Sequence, residues 1–462
     1  MERTTAKKNK YEIDMCNGTI MDKLISFSLP LMLSGILQLM FNAVDIIVVG
    51  RFSGSQALAA VGSTSALINV FTNLFIGISL GANVLTARFY AAGREKEVSE
   101  TVHTAITLAL VSGIVMALVG LVFSKGALAL MGTPDDIIGL SALYMRIYFL
   151  GMPFFMLYNY GAAILRAVGD TKRPLLFLMI AGVINACLNM VLVIVFKLGV
   201  AGVAIATVIS QMISCVLVLR CLCRSESSYR LRFSELGMKG YYLKQIFSVG
   251  VPAGIQSTVI NFSNVLLQSS VNSFGSTAMA GYTAANNLLG FLYVSVNSIT
   301  QACMSFTSQN YGVGKLKRMD RVLADCMILS VVVAVALGCI CYGFGPEILQ
   351  IYTEDAEVIA CGMEILAYTT ITYFLCGWMD LFPGALRGMG YSAVPMVLSV
   401  IGTVGTRVVW IFGIFPYHRS LAILFISYPA SWIITIILQV VCFYFVRRRV
   451  HRRSQALAGQ EG

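Results

Sequence analysis

The chain has 462 residues, of which 57% are hydrophobic and 12% charged. Soluble domains carry about 25% charged residues, so this chain cannot cover a water-facing surface, and its mean hydropathy of +0.79 places it in a membrane. The net charge of +11 falls in alternate connections between apolar runs, which reads as a topology signal and argues against a nucleic-acid-binding face.

In chain order, a polar and basic stretch (1–22) comes first and reads as a cytoplasmic tail. The apolar run after it is too long for a signal-peptide core and lacks a small-residue cleavage site, so it is expected to stay as the first span. About 20 apolar residues suffice to cross a bilayer. Six such runs are predicted in an N-lobe (23–223), near 24–49, 57–86, 102–123, 138–163, 175–196 and 200–221. The polar segment 224–244 then reads as a cytoplasmic linker. Six more runs fill a C-lobe (245–446), near 246–271, 278–308, 322–344, 358–385, 393–415 and 421–446, and a basic cytoplasmic tail (447–462) follows.

The two halves repeat at an offset of 221 residues: Arg166, Gly169 and Pro174 recur as Arg387, Gly390 and Pro395, and Tyr90 and Gly93 as Tyr311 and Gly314. Six spans are an even number, so both copies have the same orientation and the repeat is parallel. The expected fold is an all-α integral membrane protein with 12 transmembrane helices in two six-helix lobes. Lys and Arg gather before the first span and after the second, fourth, sixth, eighth and twelfth, which predicts cytoplasmic termini.

Several chemistries lack their signatures. Gly314-Lys315 is followed by Leu316, so the phosphate-loop pattern fails. His103, His418 and His451 match no metal-ligand spacing. No Ser/His/Asp or Cys/His constellation is evident, and the 12 Cys are scattered as free thiols. An enzyme and a resident cofactor are not expected; energy comes from an ion gradient or a partner.

Polar residues inside spans carry the remaining signal. A carboxylate in a span costs at least ~2.5–3.5 kcal/mol by insertion scales and is functional by default. Asp45 is such a residue, and Ser34, Gln38 and Asn42 share its helix face. It could exchange a proton or ligate Na⁺. Asn185 and Asn189 in the fifth span, and Thr207, Ser210 and Gln211 in the sixth, offer further oxygens. Ser257, Asn261, Asn264 and Gln268 form a stripe on span seven, and Asn286, Asn287, Tyr293, Asn297 and Gln301 line span eight. Such amides also serve as interhelical glue worth ~0.6 kcal/mol each, but their number favours a cavity for large, weakly polar solutes. Asp380 in span ten is the second candidate carboxylate, with Glu364 behind it; Arg146 and Arg407 are read as pairing with carboxylates or snorkelling. Pro30 and its counterpart Pro252 can kink spans one and seven.

The stretches Phe41-Asn42-Ala43-Val44-Asp45, Leu165-Arg166-Ala167-Val168-Gly169-Asp170 with Pro174, Gly199 to Thr207, and Leu386-Arg387-Gly388-Met389-Gly390 with Pro395 together resemble the multidrug and toxic compound extrusion (MATE) family over about residues 20–446. The resemblance implies antiporters that expel drugs and organic cations against inward H⁺ or Na⁺, with two lobes in a V around a central cavity. Under it, Asp45 matches the first-span aspartate of an N-lobe cation site, and Asn185 and Thr207 match two partners. Asn189 stands where many members have Asp, which leaves one carboxylate and weakens Na⁺ binding. Span seven lacks the Glu of NorM-type members, and Asp380 lies about a turn from their span-ten Asp, so their C-lobe Na⁺ site is not carried over.

The resulting expectation is H⁺ coupling through Asp45, Asn185, Asn189 and Thr207, with Na⁺ at Asp45 as runner-up and no other metal. Gln38, Asn42, Asn261, Asn264, Gln268, Tyr293, Asn297 and Asp380 are the expected substrate-cavity residues. Small amphipathic or cationic solutes are the expected substrates, and a monomer in the cell membrane the expected working form. The alternative is a flippase for a lipid-linked or amphipathic precursor, whose cavity should be strongly basic; the amide stripes lack Lys and Arg. A major-facilitator fold is the rival architecture, of which Gly93-Arg94-Glu95-Lys96 is a partial echo.

Overall fold

The computed structural model describes residues 10–458; the tail ends 1–9 and 459–462, with Lys7 and Lys8 of the predicted basic N-terminus, lie outside the described residues. The first half holds α1 (Met21–Phe52), α2 (Ser55–Ala91), α3 (Glu95–Leu130), α4 (Asp135–Leu150), α5 (Met152–Ala167), α6 (Lys172–Asn189) and α7 (Gly199–Cys223). The second holds α8 (Gly240–Asn272), α9 (Ser276–Gly312), α10 (Leu316–Gly343), the short α11 (Gly345–Gln350), α12 (Ala356–Thr369), α13 (Tyr373–Gly388), α14 (Ala393–Ser399), α15 (Thr406–Val409) and α16 (Leu421–Ala458). A π-helical stretch, Met190–Val195, prolongs α6, and two more, Val400–Gly405 and Trp410–Ile414, join and prolong α14 and α15. No strand occurs among the described residues.

Eight of these spans are long and apolar enough to cross a membrane, and ten are when each bent pair counts as one. The remaining two, α8 and α9, are 33 and 37 residues long. Their lower hydropathy comes from the amides Asn261, Asn264, Gln268, Asn286, Asn287, Asn297 and Gln301. Twelve spans therefore stand, six in each half.

The runs near 138–163 and 358–385, each expected as one span, are broken helices. α4 and α5 meet at 46°, and α12 and α13 at 51°. Gly151 and Pro153 make the first break; Pro153 sits in the first turn of α5, where its missing N–H is not needed. At the second break, hydroxyls bond back to carbonyls four residues earlier: Thr369 to Ile365 (2.7 Å), Thr370 to Leu366 (2.6 Å) and Thr372 to Tyr368 (2.7 Å). Such back-bonding loosens a helix and bends it.

The chain packs as two compact units: residues 10–13 with Ile36–Val251, and Asp14–Gly35 with 252–458. These differ from the lobes expected from a cut in the linker, because α1 and α8 are each shared. The start of α8 belongs to the first unit, where the backbone of Ile246 lies against Gly81 and that of Ile78 against Gly250. The start of α1 belongs to the second, with Phe27 edge-on to Phe306 at 5.6 Å. α8 begins at Gly240, so the polar linker ends earlier than 244. Pro30 and Pro252 lie inside continuous helices. The unit boundaries fall at Gly35/Ile36 and Val251/Pro252.

The repeat is visible in backbone geometry. Gly169 and Gly390 follow α5 and α13 with φ +96° and +91°, a left-handed conformation that favours glycine. The N-terminal stretch is fastened rather than a plain tail. In the first unit, Tyr90 and Tyr229 donate to the two oxygens of Glu12 (2.7 and 2.8 Å). In the second, Lys315 donates to the Cys16 carbonyl and Arg318 to the Gly18 carbonyl, both at 2.8 Å.

Candidate ion-coupling site

Asp45 sits on α1 in the first unit. Gly182 of α6 carries no side chain where the Phe41 ring packs, so α1 lies close to α6. One turn beyond Phe41, Asp45 meets the Asn185 and Asn189 face of α6. Asn189 is fully buried. Its Nδ2 donates to Asp45 Oδ1 and, at 3.2 Å, to Asn185 Oδ1. Its own Oδ1 is buried without a partner. The π-helical stretch begins at the next residue, Met190, and such widened turns occur often at functional sites.

Thr207 on α7 donates to the Val203 carbonyl at 3.0 Å, and its hydroxyl also reaches the Asp45 carboxylate. Tyr144 and Tyr148 of α4 stack at 6.2 Å and 29°, and both lie within the field of Asp45. Tyr148 in turn reaches Gln211 of α7. The polar groups acting on Asp45 are amide and hydroxyl; no Lys or Arg among the described residues neutralises it. The site thus joins Asp45, Asn185, Asn189 and Thr207. Sequence reading missed the two tyrosines, although their four-residue spacing puts them on one face of α4.

The expected cavity residues are spread over both units. On α1, Gln38 and Asn42 are exposed, as are Asn261 and Gln268 on α8. Tyr293 of α9 is 45% exposed, and Asn297 accepts from Gln301 at 3.1 Å. Asp380 is half-buried on α13, with Arg387 and Tyr293 in its field. Arg387 donates to Gln256 Oε1 at 2.5 Å; neither was singled out as a site residue from sequence.

One arginine corrects the sequence reading. Arg146 is exposed on α4, as snorkelling allows. Arg407 neither snorkels nor meets a carboxylate. It is 3% exposed, donates to Ser263 Oγ at 2.8 Å and Asn264 Oδ1 at 2.7 Å, and lies over the Tyr428 ring at 4.8 Å. Asn264 is therefore engaged by a cation, and the span-seven stripe is not remote from positive charge. Among the described residues, no group of three or more His, Cys, Asp or Glu could hold a metal ion. All 12 cysteines are free, and Cys187 and Cys339 are exposed rather than buried.

A duplicated twelve-span helical fold with a carboxylate inside a span and no basic partner beside it has the architecture of a membrane transporter. The sequence profile of the MatE family matches residues 30–191 and 252–412, one match in each repeat. The chain belongs to the MatE family of multi-pass membrane transporters. It is 31% identical to "Probable multidrug resistance protein YoeA" of Bacillus subtilis, over 92% of this chain and 93% of that protein. It is 22% identical to "Multidrug export protein MepA" of Staphylococcus aureus, over 82% of this chain and 84% of that one. Its fold matches a solved structure described as the outward-facing conformation of a multidrug resistance MATE family transporter of the MOP superfamily, with a TM-score of 0.87, 20% identity, and coverage of 97% and 99%.

Proposed function

We propose that this chain exports small amphipathic or cationic drugs and toxic compounds, in exchange for inward H⁺, by alternating access. The family and the names of its relatives support export. The observation that carries the coupling choice is the donor set: Asp45 is the one carboxylate beside the Asn185 and Asn189 amides and the Thr207 hydroxyl. A single carboxylate beside two amides and a hydroxyl gives Na⁺ little charge to hold, and a carboxylate in a span without a basic partner is suited to taking up and releasing a proton. The exposed amides Gln38, Asn42, Asn261 and Gln268 make no side-chain hydrogen bond among the described residues, which supports a solute-binding role over helix-to-helix glue. Both repeats lie in one chain, which supports a monomer as the working form. The distribution of Lys and Arg supports a cell-membrane protein with cytoplasmic termini.

The test is movement of a fluorescent cationic dye in liposomes under a pH gradient or a Na⁺ gradient imposed separately, with Asp45→Asn as control. Transport driven by pH and lost in the variant is expected. Dye still concentrated by Asp45→Asn would sink the role of Asp45, and transport driven by Na⁺ alone would reverse the ion choice. No movement under either gradient, with folded protein, would bring the flippase reading forward.

A further inference from the structure

Arg407 is the most deeply buried cation of the second unit, at 3% exposure. It lies on α15, inside the span that runs from Ala393 to Ile414. A guanidinium stays charged at any pH a cell reaches, so its charge needs a partner. Only Nη1 is used, by Ser263 Oγ and Asn264 Oδ1. Nε is buried without an acceptor, and Nη2 donates to none of the described residues. The ionisable groups in its field are Tyr428, Cys376, Tyr282 and Tyr373. None is a carboxylate. Asp380 of the same unit already has Arg387 in its field, so it is not the missing counter-charge.

The unused edge has a definite shape. Nε–H and Nη2–H point the same way, and this fork accepts the two oxygens of a carboxylate in parallel. Charge favours a monoanion, because Arg407 brings one positive charge and its other polar contacts are a hydroxyl and an amide. Asn264 itself is half-buried on α8, and the exposed Asn261 and Gln268 lie on the same face of that helix. The cation–π contact with Tyr428 at 4.8 Å holds the guanidinium plane from one side.

The repeat sharpens the contrast. At the 221-residue offset, Arg407 corresponds to Ala186, the neighbour of Asn185; Asn264 corresponds to Asn42 at the offset of 222 that relates Pro252 to Pro30. Neither counterpart is charged, so the guanidinium belongs to the second copy of the repeat alone.

We propose that Arg407 and Asn264 form an anion site in the second unit that takes the carboxylate of an amphipathic acid or zwitterion. This rests on the export reading only in treating such a molecule as cargo; the site itself is tested by binding, without transport.

The experiment is calorimetric titration of the purified full chain with 4-phenylbutyrate and with its methyl ester at fixed chloride, for wild type, Arg407→Gln and Arg407→Lys. Wild type is expected to bind the acid at least tenfold more tightly than the ester. Arg407→Gln should lose at least tenfold for the acid and little for the ester. Arg407→Lys, which keeps the charge and loses the fork, should fall between. Equal binding of acid and ester, no binding of the acid by folded wild type, acid binding unaltered in either variant, or displacement of the acid by an equal concentration of chloride would each overturn the carboxylate site. If Arg407→Gln does not fold, the acid–ester comparison and Arg407→Lys decide. Protein that binds the acid yet moves no dye would sink the export reading alone.

Discussion

The side-chain nitrogen of Asn189 donates to Oδ1 of Asp45, joining α6 to α1 at a carboxylate with no basic partner. Replacing that donor by a second carboxylate inverts the local chemistry. Two carboxylates in contact cannot both ionise cheaply unless a cation lies between them. Asn189→Asp is therefore expected to make export respond to Na⁺, with dye movement at fixed pH rising severalfold when Na⁺ is added outside. Dye-loaded liposomes with and without Na⁺ measure this, and a variant indifferent to Na⁺ would show that Asn189 does not set ion choice.

In the second unit, Arg387 has Gln256 as a hydrogen-bond partner and Asp380 in its field. Asp380 is half-buried and acts on Arg387 through its field rather than by direct contact. Arg387→Met should destabilise the protein, because it leaves the buried Gln256 Oε1 without its donor and Asp380 without a cation in its field. Asp380→Asn should cost less, because Arg387 keeps Gln256. The double variant should be less damaged than the sum of the two, with a coupling of about 0.5–3 kcal/mol. Thermal unfolding in detergent gives the cycle; strict additivity would show that the two charges do not act on each other.

Much of this was legible in the sequence, for identifiable reasons. Hydropathy and the 221-residue repeat report every span, and the face shared by Ser34, Gln38, Asn42 and Asp45 follows from helical period alone. The breaks at Gly151 and at Thr370–Thr372 were not legible, because a bent span keeps its hydropathy and changes only direction. The π-helical stretch after Asn189 leaves no compositional trace. The sharing of α1 and α8 between units depends on contacts such as Gly81 with Ile246, which are distant in sequence. The partners of Arg407 were hidden for the same reason: Ser263 and Asn264 precede it by more than 140 residues.

Helix α3 offers a matched pair of glycine substitutions. A Cβ on Gly113 would run into the backbone of Pro153 at the start of α5, whereas nothing lies within 4 Å of one on Gly126. Backbone cannot move aside as a side chain can, so Gly113→Ala is expected to cost about 1–3 kcal/mol or more through overpacking. Gly126→Ala should stabilise by about 0.5–1 kcal/mol, since glycine in a helix interior is unfavourable relative to alanine. Unfolding midpoints that moved in the same direction for both would contradict the close approach of α3 and α5.

Glu12 gives a test of how the N-terminal stretch is held. Tyr90 and Tyr229 each donate to a different carboxylate oxygen, and hydrogen bonds to a charged group contribute about 1.5–3 kcal/mol apiece. Glu12→Gln keeps one acceptor oxygen and removes the charge, so both bonds weaken to neutral ones at best; Glu12→Ala loses both. The carbonyls held by Lys315 and Arg318 are a separate anchor that neither variant touches. Amide hydrogen exchange should therefore accelerate at residues 10–13 by at least about tenfold in Glu12→Ala, less in Glu12→Gln, and least at residues 15–18 in both. Uniform acceleration across the whole stretch would mean that the two anchors act as one; no change at residues 10–13 would mean that Glu12 does not fasten it.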